Sequence, residues 1–234
     1  MLYGAYMGER VSSAGDAWDF TVFYDLWINA TLRHTRSLNY RLDDLPAEVR
    51  EPALARLRES ASAYCGRFDV GRGPWGFKGP RSMYVLPYLH RLFPGMTFLH
   101  LIRDGRDMAI SRNHGQVRKH YAAVFGDDPG DESNVAAAQL WSKANLEANA
   151  WCRASLPDRH MIVRYEQLCN EPLETISQIL HLLRWPFTQD RLSQLASAIR
   201  PSPGIGRWRS VAGADMAPIV AASSDGLRAF GYLE

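Results

Sequence analysis

The sequence predicts an α/β fold with a parallel sheet, and three stretches carry that expectation. Met96, Phe98, Leu99, Leu101 and Ile102 form a nearly continuous apolar run, the pattern of a parallel strand covered on both faces. Arg103 ends the run abruptly, Asp104-Gly105 supplies turn chemistry, and from Arg106 the pattern turns helical, with Met108, Ala109 and Arg112 on neighbouring faces. A long helical stretch running to about Ser155 leads into a second short run, His160 to Arg164, which reads as the next strand. Strands separated by helices in this way fit a sheet with helical layers.

Composition bounds the rest. The 234 residues suffice for one α/β domain with a substantial core, and residues 1–234 are read as a single domain. A net charge of +2 argues against a general nucleic-acid binder, which carries a larger basic excess on one face. Cys65, Cys152 and Cys169 are odd in number, widely separated and lack zinc spacing, so buried thiols are expected, with neither a disulfide framework nor a metal. No apolar run reaches the roughly 18 residues of a membrane span. Met1 to Gly8 is too short for a signal peptide and lacks a basic lead-in, which makes the cytoplasm the expected location.

The first helix is expected from a cap at Asp16 to about Arg36, with Trp18, Val22, Phe23, Leu26, Trp27 and Ala30 as its apolar stripe. Tyr40 to Arg50 is polar and reads as a loop. Pro52 then opens a second helix with Leu54, Leu57, Ala61 and Tyr64 inward. Gly71-Arg72-Gly73-Pro74 breaks the chain before a short strand, Trp75 to Lys78. If that strand runs parallel beside the one ending at Ile102, Lys78 faces the same crevice as Arg103. Gly115 to Asn134 reads as a long connection, either a ligand-binding lid or an insert, with His120 as a candidate base. In the helix ending near Ser155, Leu140, Trp141, Ala144, Ala148, Trp151 and Cys152 are expected inward. Pro172 starts a scaffold helix with Leu173, Ile176, Ile179, Leu180 and Leu183, which ends near Trp185-Pro186.

Ligands of open α/β sheets sit beyond the carboxyl ends of strands, which is where Arg103 stands. With a helix from Arg106, Ser111 lies between one and two turns along it, on the order of 8 Å further on. One phosphate bridges such a gap: the guanidinium offers a planar fork of donors and the serine a short neutral one. The competing use of Arg103 is an ion pair with Asp104 or Asp107.

Lys78-Gly79-Pro80, Arg91-Leu92-Phe93-Pro94, Ile102-Arg103-Asp104 through Ser111, and Arg164-Tyr165-Glu166 together resemble the sulfotransferase family, nearest in style to its bacterial and tyrosylprotein branches. The resemblance runs from about Tyr6 to the carboxyl end. It implies a three-layer α/β/α fold of the P-loop type with a central parallel sheet. It also implies 3′-phosphoadenosine-5′-phosphosulfate (PAPS) as co-substrate, no metal, and an acceptor hydroxyl or amine on a sugar, peptide tyrosine, lipid or small phenol. By the same resemblance Arg103 and Ser111 clamp the donor's 3′-phosphate and Tyr165 borders the adenine, with Glu166 left structural. Lys78 stabilises charge in the transition state, and Glu9 corresponds to the carboxylate that activates the acceptor. Gly206-Arg207-Trp208-Arg209 resembles the basic segment that folds over the nucleotide, so that Arg207 and Arg209 reach the 3′-phosphate.

One departure is large. The family's amino-terminal strand and 5′-phosphosulfate loop, of the Arg-Ser-Gly-Thr-Thr kind, have no counterpart in this sequence. Neither Gly71-Arg72-Gly73 nor Gly204-Ile205-Gly206 lies between a clear strand and a helix. The expectation is a fold without its first strand and phosphate loop, and a chain that binds the nucleotide but transfers sulfate poorly by itself. The alternative is a noncatalytic nucleotide-binding or partner-binding protein. Phosphorylation of a nucleotide or sugar fits less well, because a Walker lysine and a magnesium ligand are missing.

Overall fold

The fold is given by a computed structural model, which describes residues 18–68, 75–129, 133–210 and 216–233. The described residues group into two compact units. One comprises those up to Met96 together with Ala123–Gly126, and the other those of Thr97–Ala122 and from Asp127 onward.

In the first unit, α1 (Trp18–Thr35) ends within a residue of its predicted end, and Arg36 reverses the chain at φ 51°. Arg36 Nη1 donates to the Ala123 carbonyl at 3.0 Å. The helix buries Ile28, Thr31 and Leu32, whereas Leu26, assigned to the inward stripe, is 69% exposed. Apolar residues occupy more than one face of α1, so its periodicity alone did not choose between them. Packing did: Thr31 Oγ1 lies 3.0 Å from the buried Tyr88 hydroxyl on this face.

The presumed loop of residues 40–50 is also structured. A 3₁₀ turn covers Leu42–Asp44, and α2 (Ala47–Phe68) begins five residues before Pro52. The Pro46 carbonyl accepts the Val49 and Arg50 amides, each at 3.0 Å, and starts the helix. Pro52 then removes only one early hydrogen bond, which the packing of Leu54, Leu57 and Ala61 outweighs; all three are buried as expected. Trp75 to Lys78 forms no strand. Gly76 inside the segment and Gly79-Pro80 after it weaken a ladder, and Trp75 instead packs edge-on against Phe93 at 5.3 Å. A 3₁₀ turn, Ser82–Val85, leads into α3 (Leu86–Leu92), and the Tyr84 carbonyl accepts the Tyr40 hydroxyl at 3.2 Å.

The second unit is α/β. Strands β1 (Phe98–Ile102) and β2 (His160–Arg164) pair in parallel, from Phe98 opposite His160 to Ile102 opposite Arg164. Between them come α4 (Gly105–Ala109), α5 (Gly115–Phe125, whose last residues belong to the first unit) and α6 (Ser133–Ser155). After β2 follow α7 (Tyr165–Asn170), α8 (Pro172–Leu182), α9 (Gln189–Ser197), a 3₁₀ turn at Arg207–Arg209, and α10 (Met216–Ala229). The core forms where α6 meets α10. Leu140, Ala144, Ala148, Trp151 and Cys152 are buried there, the Ser142 hydroxyl accepts the Gly226 amide at 3.0 Å, and Trp141 meets Phe230 edge-on. Burial pushes the Cys152 thiol up to about 12, while Cys169 is half-buried.

The expectations for β1 and for residues 115–134 fail in this unit. Covering of β1 on both faces does not hold, because Leu101 is 53% exposed while His100 and Ile102 on the opposite face are buried. Gly115 to Asn134 is not one long connection: its first half is helix α5, and His120 within it is fully buried, which removes it as a base for a solvent-borne acceptor. Val117, Tyr121 and Val124 bury one side of α5, and the Tyr121 hydroxyl donates to Gln139 Oε1 at 2.6 Å. Among the described residues no helix is long and apolar enough to cross a membrane.

His100 makes stability depend on pH. Its Nε2 lies 2.9 Å from Asn145 Oδ1, and burial holds the imidazole down to about 4 from its usual 6.5, with His160 nearby acting in the same direction. The unfolded chain therefore binds a proton that the folded one refuses between these values. Stability is complete above about pH 6.5 and falls as the pH drops toward 4, by about 3 kcal/mol in total for this group. Urea unfolding of wild type and His100→Gln across that window checks it. The variant should show a shallower pH slope, and equal slopes would remove His100 as the cause.

Candidate functional site

The register of the sheet builds the site. Ile102 pairs with Arg164, so the next residues, Arg103 and Tyr165, emerge side by side at the carboxyl ends of the strands. The Arg103 guanidinium lies 5.5 Å from the Tyr165 ring centroid. Burial, and then the Cys169 thiol, raise the Tyr165 phenol above its ordinary value. Arg103 Nε is buried and has no hydrogen-bond partner among the described residues.

The next four residues hold this corner. Asp104 caps α4 by accepting the Arg106 amide at 2.9 Å, and its carboxylate also takes the Arg106 guanidinium at both oxygens, at 3.0 and 2.8 Å. Both residues are buried. Gly105 leaves no room for a side chain: a Cβ there would lie 2.4 Å from the Trp141 ring. Arg106 also donates to the Tyr232 carbonyl at 3.1 Å and lies over the Trp208 ring at 3.8 Å. Asp107, wholly shielded from solvent, accepts the Gly206 amide at 2.7 Å and the Trp208 amide at 3.0 Å, and lies 3.5 Å from Arg103 Nη2.

Glu166 ties the strand ends to the carboxyl-terminal residues. Its Oε1 accepts the Asp104 amide at 3.0 Å and its Oε2 the Tyr232 hydroxyl at 2.7 Å. Burial and the Glu166 carboxylate raise the Tyr232 phenol well above its usual range, so it remains a donor. Glu166 is thus committed to internal contacts. The turn from Ser202 to Ser210 lies against the same corner: the Ser202 amide donates to the Tyr165 hydroxyl at 3.1 Å, and a Cβ on Gly204 would come within 2.9 Å of Arg103 Nη2. Gly206 takes a left-handed φ of 70° that favours glycine.

Of the sequence-predicted residues, Arg103 and Tyr165 come together. Ser111 does not lie on a helix with them, because α4 stops at Ala109. Ser111 Oγ accepts the Asn113 amide at 3.3 Å and Asn113 Oδ1 the Gly115 amide at 3.1 Å, local turn bonds that compete with helix. Arg207 Nη2 donates to the carbonyl of Ile110, the neighbour of Ser111, at 3.3 Å. Arg209 lies over the Trp208 ring at 4.7 Å. Lys78 is exposed in the first unit, without the strand expected to aim it. Glu9 and Gly71-Arg72-Gly73 lie outside the described residues. The ion pair of Arg103 with Asp107, one of the two uses weighed for this arginine, is present; the second role of Asp107, and the contacts of Trp208 and Tyr232, were not foreseen. Asp107 carried a local signal at four residues from Arg103, whereas the other contacts join segments 66 to 126 residues apart and have none.

Chemically, the corner presents a partly exposed guanidinium at the end of a parallel strand, with further guanidiniums on the adjoining turn. Such an arrangement suits an oxyanion. Among the described residues no group of three or more His, Cys, Asp or Glu side chains could hold a metal ion.

Comparison with known proteins adds identity to this geometry. A Caenorhabditis elegans protein named "Putative protein-tyrosine sulfotransferase" is 29% identical over 166 residues, covering 71% of this chain and 57% of the relative. The "Protein-tyrosine sulfotransferase" of Drosophila melanogaster is 32% identical over 110 residues, covering 47% of this chain and 21% of the relative. The matched part is thus less than two thirds of either relative's length. The profile described as "Sulfotransferase family" matches residues 18–189, a span that includes β1, Arg103 and Tyr165. The chain belongs to the sulfotransferase family.

Proposed function

We propose that this protein transfers a sulfuryl group from PAPS to an acceptor hydroxyl, on a three-layer P-loop-type fold in which residues 1–234 act as one domain. The observation that carries the reading is Arg103, a guanidinium at the end of a parallel strand whose buried Nε has no hydrogen-bond partner among the described residues. In this reading Arg103 and Ser111 bind the 3′-phosphate, Arg207 and Arg209 reinforce them, and Tyr165 borders the adenine. The names of the two relatives favour a peptide tyrosine as acceptor.

In the transfer, the acceptor oxygen bonds to sulfur while the bond from sulfur to the bridging phosphate oxygen breaks, and the acceptor's proton passes to a base. Lys78 is assigned to charge on the bridging oxygen and Glu9 to the base, each on its sequence motif alone.

Calorimetric titration with 3′,5′-adenosine bisphosphate and adenosine 5′-monophosphate tests the nucleotide, and labelled sulfate with a tyrosine peptide tests the transfer. The bisphosphate should bind the more tightly, and equal affinities would overturn the reading. Transfer to any acceptor would exclude the noncatalytic binding protein. In a form supplied with a phosphate loop, Lys78→Ala should lower kcat much more than donor affinity, as for a contact made mainly in the transition state. A loss confined to donor affinity would move Lys78 to a binding role.

A further inference from the structure

We infer that Asp107 is a positioning residue, which locks the Arg103 guanidinium and the 202–210 turn into one arrangement that the 3′-phosphate meets ready-made; this rests on the nucleotide reading above. A carboxylate close to a phosphate site repels the ligand unless its charge is already engaged. Asp107 is wholly shielded from solvent and takes two backbone amides, from Gly206 at 2.7 Å and Trp208 at 3.0 Å, with Arg103 Nη2 at 3.5 Å.

Those contacts join segments 99 and 101 residues apart in sequence, so one side chain fixes strand end and turn together. The turn is shaped to receive it. Gly206 takes a left-handed backbone that a side chain would strain, and Gly204 lets the turn approach Arg103 closely. The same turn carries Arg207, whose guanidinium is held on the Ile110 carbonyl. Removing the Asp107 charge frees both the turn and the rotamers of Arg103, so ordering them becomes part of the cost of binding.

The test uses the full chain as wild type and Asp107→Asn, with 3′,5′-adenosine bisphosphate and adenosine 5′-monophosphate as probes. The preference for the bisphosphate should fall about tenfold or more in the variant, and trypsin should cleave after Arg207 and Arg209 at least several-fold faster. A merely structural role would weaken both nucleotides alike and leave the ratio unchanged, which would overturn the proposal. Absence of any preference in wild type would overturn the nucleotide reading and this inference together, whereas a wild-type preference that survives Asp107→Asn would overturn this inference alone. Should the variant not fold, hydrogen exchange of wild type over residues 202–210 decides. In the ligand-free protein, strong protection of the Gly206 and Trp208 amides supports the lock, and exchange at the rate of an unstructured loop overturns it.

Discussion

Replacing Arg103 with Ala should weaken binding of 3′,5′-adenosine bisphosphate by about 2 to 5 kcal/mol, the range for truncating one partner of a buried charge pair. That is a loss of roughly thirtyfold to several thousandfold. The effect should be large because the Arg103 side chain is only 24% exposed, so the site is partly dehydrated before the ligand arrives. Adenosine 5′-monophosphate, which lacks the 3′-phosphate, should lose far less. The fold should survive, since Asp107 retains the Gly206 and Trp208 amides when the guanidinium is gone. Calorimetry of both nucleotides, with thermal unfolding as control, makes the comparison. Equal losses for the two ligands would show that Arg103 does not read the 3′-phosphate.

Arg106→Ala should lower global stability by about 3 to 5 kcal/mol, as expected when one partner of a buried ion pair is removed and the other remains. Asp104 would keep the backbone amide of residue 106 but lose both guanidinium bonds, in surroundings where only 6% of either residue is exposed. The Tyr232 carbonyl would lose its donor and the Trp208 ring a cation at 3.8 Å. Urea unfolding followed by circular dichroism measures the change, and a loss below about 1 kcal/mol would place the pair among solvent-screened surface bridges. Arg106 thus differs from Arg103 in kind. Only two residues separate them, yet Arg106 is held by Asp104 and Tyr232, whereas Arg103 meets Asp107 at 3.5 Å and its Nε has no hydrogen-bond partner among the described residues.

Much of the second unit was legible in the sequence. Both strand ends, the long helix to Ser155 and the inward residues of that helix followed from apolar periodicity, because each element's own pattern leaves one face to bury. Arg103 and Tyr165 were legible for the same reason, since a residue that ends a parallel strand is placed by the strand itself. The sequence motifs also pointed to the family that the comparisons establish. Local signals served less well where two readings of one stretch were close in energy. Trp75 to Lys78 has aromatic residues suited to a strand, yet its glycines and Pro80 leave it without a ladder, and α1 offered more than one apolar face. Ser111 fell to turn bonds because serine, asparagine and glycine side chains and backbone satisfy each other within five residues. What only the tertiary structure decided is the commitment of each charge at the strand ends. Asp107 to Gly206 and Trp208, Arg106 to Tyr232, and Glu166 to Tyr232 are contacts across 66 to 126 residues, specified by the packing of β1, α6 and α10 rather than by any local pattern. Sequence by itself determined which residues end the strands; the fold determined which of their charged groups are committed to internal partners, because desolvation and hydrogen-bond geometry depend on neighbours that the chain brings together only when folded.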